Sequence, residues 1–171
     1  MAAHVVTRGC TPQQQIKNLE EKVTMFQHIL VPTDGTSFCD RALDRAIDMA
    51  AQGDTEVVAL RVVPRYAMNY YDGAVALCAE DVASAEALSF GAAQEALQSL
   101  VTRAEASGVA LKTAITVSDG VADAIIAAAT RYGSDLIVMA SHGRTGFARL
   151  LIGSDTDDVL AHSKIPVLVI R

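Results

Sequence analysis

The residues best suited to chemistry in this sequence are the glycines between Ser141 and Ser154. Gly143, Gly146 and Gly153 are spread along this segment, and a predicted helix starts at Ser154. Glycine lets the backbone approach an anion closely, and a helix N-terminus adds about half a positive charge. The segment is therefore typical of a phosphate site. The alternative is that these glycines only allow the loop to turn and that Ser154 is an ordinary N-cap.

The charge around this segment favours an anion. From Leu136 to Ser154 the sequence has no acidic residue and contains Arg144 and Arg149, whereas the whole chain has 14 Lys plus Arg against 20 Asp plus Glu and a net charge of -6. Arg144 is therefore included among the predicted phosphate contacts. The acidic balance of the chain disfavours binding to the nucleic-acid backbone, so no nucleic-acid partner is expected.

A carboxylate follows the first predicted strand, in the run Val31-Pro32-Thr33-Asp34-Gly35-Thr36. Ligands of open α/β sheets bind at the carboxyl ends of the strands, where the strand order reverses. Asp34 can accept hydrogen bonds from a ribose there, help to hold a metal ion, or cap the first helix. A phosphatase of the haloacid-dehalogenase type needs a nucleophilic Asp two residues before Asp34, and Pro32 at that position excludes the covalent route.

The histidines and cysteines do not form a recognisable catalytic group. Neither His142 nor His162 has a nucleophile or metal partner at a useful spacing, so we expect His142 to position the glycine turn and His162 to act as a helix C-terminal cation. Cys39 is either activated by the start of the first helix or packed in the core. The chain has 3 Cys without a CxxC pair, and no signal peptide is recognisable, which predicts a cytoplasmic protein.

Five apolar runs rich in Val, Ile and Leu predict the strands that position these residues. Their hydrophobicity is continuous, which indicates strands buried on both faces. Helical patterns lie between them, the last from Ser154 to His162. The alternation predicts an α/β fold: a single doubly wound, Rossmann-like domain with a five-stranded parallel sheet and helices on both faces. The predicted strands are Gln27 to Thr33, Glu56 to Val63, Val109 to Val117, Asp135 to Ala140 and Pro166 to Ile170.

The length and composition fit one globular domain. The chain has 171 residues, of which 51% are hydrophobic and 20% charged. Residues 1–24 match neither strand nor helix and are predicted to be a disordered tail before a domain at 25–171. The segment Arg65 to Glu80 is too long for a tight connection and is predicted to be a mobile loop. No apolar run approaches the ~20 residues of a membrane span, so no membrane partner is expected.

From Phe26 to Arg171 the chain resembles the universal stress protein family. The nucleotide-binding branch of this family has a motif of Gly, two residues, Gly, nine residues, Gly and then Ser or Thr. Here the motif falls on Ala140, Gly143 and Gly153-Ser154, with nine residues between the two glycines. Val31 to Asp34 resembles the first strand of the family, and Pro166 to Ile170 resembles its closing strand.

The resemblance implies an adenine nucleotide alpha hydrolase-like fold that binds ATP together with Mg2+. It implies that the backbone near Val62 and Val63 holds the adenine and that Asp34 holds the ribose. It also implies a homodimer through the strand Val167 to Ile170, which otherwise leaves an apolar sheet edge open. The residues implied to contact the phosphates are Gly143, Gly153, Ser154 and Thr156.

The predicted site combines the residues of the resemblance with those of the charge analysis. No metal is expected to bind the protein alone, although Asp34 or Asp155 can reach a Mg2+ ion carried by ATP. The full predicted set is Pro32, Thr33, Asp34, Val62, Val63, Met139, Ala140, His142, Gly143, Arg144, Gly153, Ser154, Asp155 and Thr156.

Two residues depart from what a phosphate site favours. Ala140 stands where the motif has its first glycine. Its methyl group hinders the approach of a ligand only if that position needs a positive φ. Asp155 lies in the first turn of the helix that would receive the phosphates, where a like-charge pair ~6 Å apart costs roughly 2.8 kcal/mol at an effective dielectric of ~20. Acidic residues are also ordinary at helix N-termini.

Three functional hypotheses follow from these residues. The first is an ATP-binding stress-response module with slow or absent hydrolysis, since no general base or nucleophile is identifiable. The second is an interaction or chaperone-like module that does not bind nucleotides. The third is a weak ATPase or self-phosphorylating protein.

Overall fold

The computed structural model describes residues 25–64, 79–141 and 153–171. Strands and helices alternate along these ranges, as the hydrophobic pattern predicts. The strands are β1 (His28–Pro32), β2 (Glu56–Val63), β3 (Leu111–Val117), β4 (Leu136–Ala140) and β5 (Val167–Ile170). The helices are α1 (Ser37–Ala50), α2 (Ala79–Ala106), α3 (Val121–Arg131) and α4 (Ser154–His162).

The five strands form one parallel sheet in the order β3-β2-β1-β4-β5. The predicted α/β fold with a five-stranded parallel sheet is therefore confirmed. Strands β2 and β3 lie on one side of β1, and β4 and β5 lie on its other side. The strand order consequently reverses between β1 and β4, which is where ligands bind in folds of this kind.

The two faces of the sheet carry separate buried clusters. On β1, Ile29 and Val31 belong to the cluster under α1 and α2, whereas Leu30 belongs to the cluster under α3 and α4. All three side chains are fully buried, because successive strand residues point to opposite faces and both faces are covered. This arrangement explains the continuous hydrophobicity of the strand sequences.

The helices cover the sheet with faces that match their apolar spacing. The buried residues of α1 are Cys39, Ala42, Leu43, Ala46, Ile47 and Ala50, which recur every three or four positions. Helix α3 buries Ala124, Ile125, Ala128 and Ala129 in the same way. The abundant alanines let these helices pack closely on the sheet.

The third strand begins two residues later than predicted. Val109 is buried, but its N–H donates to the carbonyl oxygen of Ala104 at 3.0 Å. It therefore belongs to the turn that closes α2, and the strand starts at Leu111. An apolar residue packed behind a helix end has the same sequence signature as the first residue of a strand.

Two predicted segments lie wholly or mostly outside the described residues. The tail predicted for residues 1–24 is one of them. The other is the loop predicted from Arg65 to Glu80, of which residues 65–78 are outside the described ranges. Its last two residues, Ala79 and Glu80, form the start of α2, so the predicted loop is too long at that end.

Candidate functional site

A cleft of about 350 Å³ opens at the carboxyl ends of β1, β2 and β4, beside the N-terminus of α4. We call it the switch-point cleft, because it lies where the strand order reverses. The sequence predicts ten of its lining residues as site residues: Pro32, Thr33, Asp34, Val62, Met139, Ala140, Gly153, Ser154, Asp155 and Thr156. The fold thus brings together residues from opposite ends of the described sequence.

The turn between β1 and α1 is held by its own hydrogen bonds. The backbone N–H and the Oγ1 hydroxyl of Thr36 both donate to Oδ1 of Asp34, at 2.8 and 2.6 Å. The N–H of Gly35 donates to Oγ1 of Thr33 at 3.1 Å, and the N–H of Thr33 donates to the carbonyl of Leu60 at 2.8 Å. These bonds fix the carboxylate of Asp34 at the rim of the switch-point cleft.

The N-cap of α1 is Thr36, and its side chain makes no capping hydrogen bond. The sequence analysis offers Asp34 as a cap for this helix, but the hydroxyl of Thr36 donates to Oδ1 of Asp34 in the turn before it. Gly35 adopts a φ of +81°, which side chains rarely accept, so the turn needs glycine there. Asp34 therefore contributes to the start of α1 by shaping the turn before it.

The N-terminus of α4 faces the cleft without a side-chain cap. Its N-cap is Gly153, which makes no side-chain capping bond, and the N–H of Asp157 donates to the carbonyl of Gly153 at 2.9 Å. The preceding amides, those of Ser154, Asp155 and Thr156, have no partner inside the helix. Together with the helix dipole they favour an anion.

The backbone at Gly153 leaves room beside these amides. Its φ of -62° and ψ of 149° are accessible to any residue. A Cβ built at this position would meet no heavy atom within 4 Å of itself. The glycine is therefore not required by backbone strain, and the space in front of it is open to an approaching group.

Ala140 fits the end of β4 without strain. Among the described residues no residue other than glycine has a positive φ, and Ala140 continues the strand with its N-terminal neighbours, paired to Ile170. The position of the first motif glycine thus does not need glycine in this chain. Its methyl group lies in the wall of the cleft.

The acidic residues of α4 lie at its first turn. Asp155 and Asp157 are both in that turn and both are exposed, but only Asp155 lines the cleft. Thr156 beside it is buried, with 4% of its surface exposed. The amides and the carboxylate therefore exert opposite electrostatic effects on an anion in the cleft.

The apolar wall of the cleft contains three residues that the sequence analysis does not assign to a site. They are Leu60 on β2, and Val121 and Ile125 on α3. The helical spacing of Val121 and Ile125 identifies them as a packing face, and only the topology shows that this face reaches the cleft. Val62 lines the cleft and Val63 does not, because neighbouring strand residues point to opposite faces.

Cys39 lies in the wall of the cleft and is buried. Burial raises the pKa of its thiol from 9.0 to about 11, and the nearby carboxylate of Asp34 adds to the increase. Partial compensation comes from a hydrogen bond with the backbone of Asp34. Of the two interpretations left open by the sequence, the structure therefore favours a packed, neutral thiol over an activated one.

Three further predicted site residues fall outside the described ranges, and His162, which has no predicted role in the site, lies within them. His142, Gly143 and Arg144 lie outside the described residues. His162 lies in the last turn of α4, and its Nδ1 is 2.8 Å from the carbonyl oxygen of Asp158. That contact places the ring at the C-terminal end of the helix, as the sequence predicts for a residue without a catalytic role.

The described ranges contain neither a cluster of metal-ligating side chains nor a helix able to span a membrane. Within them, no three His, Cys, Asp or Glu side chains are grouped so that they could hold a metal ion. Over the same residues, none of the helices combines the length and apolar character needed to cross a membrane.

Comparisons with known proteins identify similar sequences and folds. The model of the universal stress protein family matches residues 25–171. Universal stress protein MJ0531 of Methanocaldococcus jannaschii is 34% identical over 148 residues, which cover 86% of this chain and 83% of that protein. The structure of universal stress protein UspA from Lactobacillus plantarum matches with a TM-score of 0.70 and 26% identity, over 85% of this chain and 97% of that one.

Two more distant structures share the fold and contain nucleotides. A universal stress protein in complex with cAMP matches with a TM-score of 0.60 and 24% identity, covering 85% of this chain and 97% of its own. The universal stress protein from Archaeoglobus fulgidus in complex with dAMP matches with a TM-score of 0.58 and 21% identity, covering 86% and 99%.

Proposed function

This chain belongs to the universal stress protein family, and we propose that it binds ATP together with Mg2+ in the switch-point cleft. In this proposal it is a cytoplasmic stress-response module whose nucleotide state changes its association with a partner protein. The observation that carries the proposal is the uncapped N-terminus of α4, which opens onto the same cleft as Asp34. A helix end that favours an anion and a carboxylate that can accept hydrogen bonds from a ribose thus line the same cavity.

The assignment of the nucleotide follows the polarity of the cleft. The apolar wall at Val62 receives the adenine, whose edge bonds to the backbone at the end of β2. Asp34 accepts hydrogen bonds from the ribose hydroxyls. The phosphates lie against the first amides of α4, with Gly143 and Arg144 as further contacts from the sequence. The cavity of about 350 Å³ is within the usual range of small-molecule sites.

Two proteins of the same fold support the choice of an adenine nucleotide. One was solved with cAMP and the other with dAMP. Both ligands carry an adenine, a sugar and a phosphate, the three parts that the cleft is proposed to hold. The fold is thus compatible with this class of ligand.

Slow or absent hydrolysis is part of the proposal. Among the described residues that line the cleft, the ionisable side chains are Asp34, Cys39 and Asp155. Asp34 is assigned to the ribose, and burial keeps the thiol of Cys39 neutral by raising its pKa to about 11. A weak ATPase would instead release labelled phosphate from ATP above the rate in buffer.

The deciding experiment is a calorimetric titration of the full chain with ATP and Mg2+. We expect saturable binding of one nucleotide per chain and a matching increase in the melting temperature. The absence of both heat and thermal stabilisation at millimolar ATP would refute the proposal. Titration with GTP serves as the control for recognition of the adenine.

A second candidate function is favoured by the acidic first turn of α4. Asp155 and Asp157 place negative charge at the end of the helix that would meet the phosphates. If their repulsion exceeds the attraction of the amides, the protein is an interaction or chaperone-like module without a nucleotide. The variant Asp155→Asn, which removes one of these charges, separates the two functions.

The proposal includes a homodimer that pairs the β5 edges of two chains. On one side β5 pairs with β4, and among the described strands none pairs with its other side. Leu168 on this strand is 38% exposed. An exposed apolar edge strand is a template for pairing with another chain, and pairing with a second copy covers it.

A further inference from the structure

A second cavity, of about 300 Å³, lies between the carboxyl ends of β1 and β2 and the helix α2. We call it the α2 pocket. Its polar wall contains Asp40, Arg61 and Arg103, and its apolar floor contains Ala93, Leu97 and Leu100. Apart from Thr33, which lines both, none of these residues lines the switch-point cleft.

The two arginines of the α2 pocket differ in how their charges are balanced. Arg103 pairs with Asp40 at 3.4 Å and with Asp44 at 3.2 Å. None of the ion pairs among the described residues includes Arg61. The charge of Arg103 is thus offset by two carboxylates, whereas that of Arg61 has no carboxylate partner within the described part of the chain.

Arg61 is held in place by the backbone next to it. Its Nη1 donates to the carbonyl oxygen of Thr33 at 3.3 Å. That bond engages one of the five N–H donors of the guanidinium group. Because Arg61 is half-buried, its charge has lost part of its water, and a carboxylate in the pocket would replace that water with a charge-assisted hydrogen bond.

The floor of the α2 pocket selects for an apolar group. Ala93, Leu97 and Leu100 are each less than a tenth exposed, and they form the apolar part of the wall that α2 contributes to the cavity. A ligand that matches both walls has a charged head and a short aliphatic body. The size of the cavity restricts it to a small molecule.

We propose that the α2 pocket binds a small aliphatic carboxylate, whose head pairs with Arg61 and whose aliphatic part packs against Ala93 and Leu97. The planar guanidinium group suits a planar carboxylate. This site is independent of the proposed nucleotide site, so failure of the ATP titration leaves it unaffected. Failure of the experiment below, in turn, says nothing against ATP.

The test uses butanoate as the probe and butanamide as its uncharged counterpart. Each is titrated into the full chain while the backbone amide signals of Gly35 and Ala96, which line the pocket, are followed by NMR. We expect saturable shifts of both signals with butanoate and none with butanamide. Equal responses to the two compounds, or shifts that never saturate, would overturn the proposal.

Two further measurements sharpen the result. The R61Q variant is expected to bind butanoate about tenfold more weakly or worse, because a hydrogen bond to a charged group is lost. The control is R45Q, which removes an exposed arginine paired with Asp48 and is expected to bind like the unmodified chain. Titration with inorganic phosphate, which has no aliphatic part, tests whether the apolar floor contributes to binding. Phosphate that binds as tightly as butanoate would contradict an apolar subsite.

Discussion

At the scale of single residues, Gly153 is a position where a substitution can affect ligand binding with little effect on stability. Its dihedral angles suit any residue, and a Cβ there would meet nothing within 4 Å. We expect Gly153→Ala to change the free energy of unfolding by less than about 1 kcal/mol, because a poorer N-cap is offset by a less flexible unfolded chain. ATP should bind about tenfold more weakly, because the methyl group occupies space proposed for a phosphate.

The measurements for Gly153→Ala are urea denaturation and calorimetric titration with ATP and Mg2+. Gly91→Ala is the matched control, since a Cβ at Gly91 on α2 also meets open space and Gly91 does not line the cleft. Unchanged ATP affinity in the Gly153 variant would mean that the phosphates do not approach this backbone.

The charge of Asp155 can be tested separately from its size. Asp155→Asn keeps the shape of the side chain and removes the negative charge beside the first amides of α4. We expect ATP affinity to rise about three- to tenfold at low salt, an effect reduced at high salt because Asp155 is exposed. Calorimetry at two salt concentrations measures both effects.

The control for Asp155 is Asp158→Asn on the same helix, because Asp158 does not line the cleft. A similar increase in both variants would indicate a general effect of net charge on binding. If the unmodified chain binds no ATP and Asp155→Asn does, the second candidate function is supported instead.

At the scale of the elements, the turn between β1 and α1 depends on one glycine. Gly35 has a φ of +81°, and a Cβ built there would approach Nη1 of Arg61 only to 3.5 Å, an ordinary contact. We expect Gly35→Ala to lower the free energy of unfolding by about 1–2 kcal/mol through backbone strain alone. Urea denaturation measures this change, with Gly153→Ala as the comparison at an unstrained glycine. Equal stability of the two variants would contradict the assignment of strain to this turn.

The elements could be predicted from the sequence because their signals are local. The bounds of β2 and α4 agree with the predicted ones, Glu56–Val63 and Ser154–His162. The start of β3 could not be predicted, because the burial of Val109 depends on how α2 ends. The role of Ile125 in the cleft could not be predicted either, since it requires knowledge of which end of α3 faces the carboxyl ends of the strands.

At the scale of the whole molecule, the open edge of β5 predicts the oligomeric state. We expect light scattering at micromolar concentration to give twice the 18.0 kDa mass of one chain. Leu168→Lys should shift the mass towards that of the monomer, because a charge on an edge strand opposes pairing.

The opposite edge of the sheet provides the control for this prediction. Val117 on β3 is 45% exposed, and Val117→Lys should leave the dimer intact if β5 is the paired edge. A monomeric mass for the unmodified chain would refute the dimer. Loss of the dimer in the Val117 variant alone would indicate that the interface lies at β3.

The location of the candidate site could be predicted from the sequence because it follows a rule common to open α/β sheets. The rule for open sheets selects the carboxyl ends of the strands, and Asp34 and Gly153 both line the resulting cleft. The α2 pocket could not be predicted, because it depends on Arg61 lying under the turn that follows β1. Its residues carry no motif that would mark them in advance.

The pairing of β1 with β4 has a consequence for protein synthesis. Ile29 pairs with Leu136, and the cleft needs residues 153–156 as well as residues 32–34. A chain still being made on the ribosome therefore lacks the cleft until Thr156 has emerged, long after β1 has left the exit tunnel. Any ligand of the cleft can stabilise only a polypeptide that extends through Thr156, so shorter nascent fragments depend on their own packing or on chaperones.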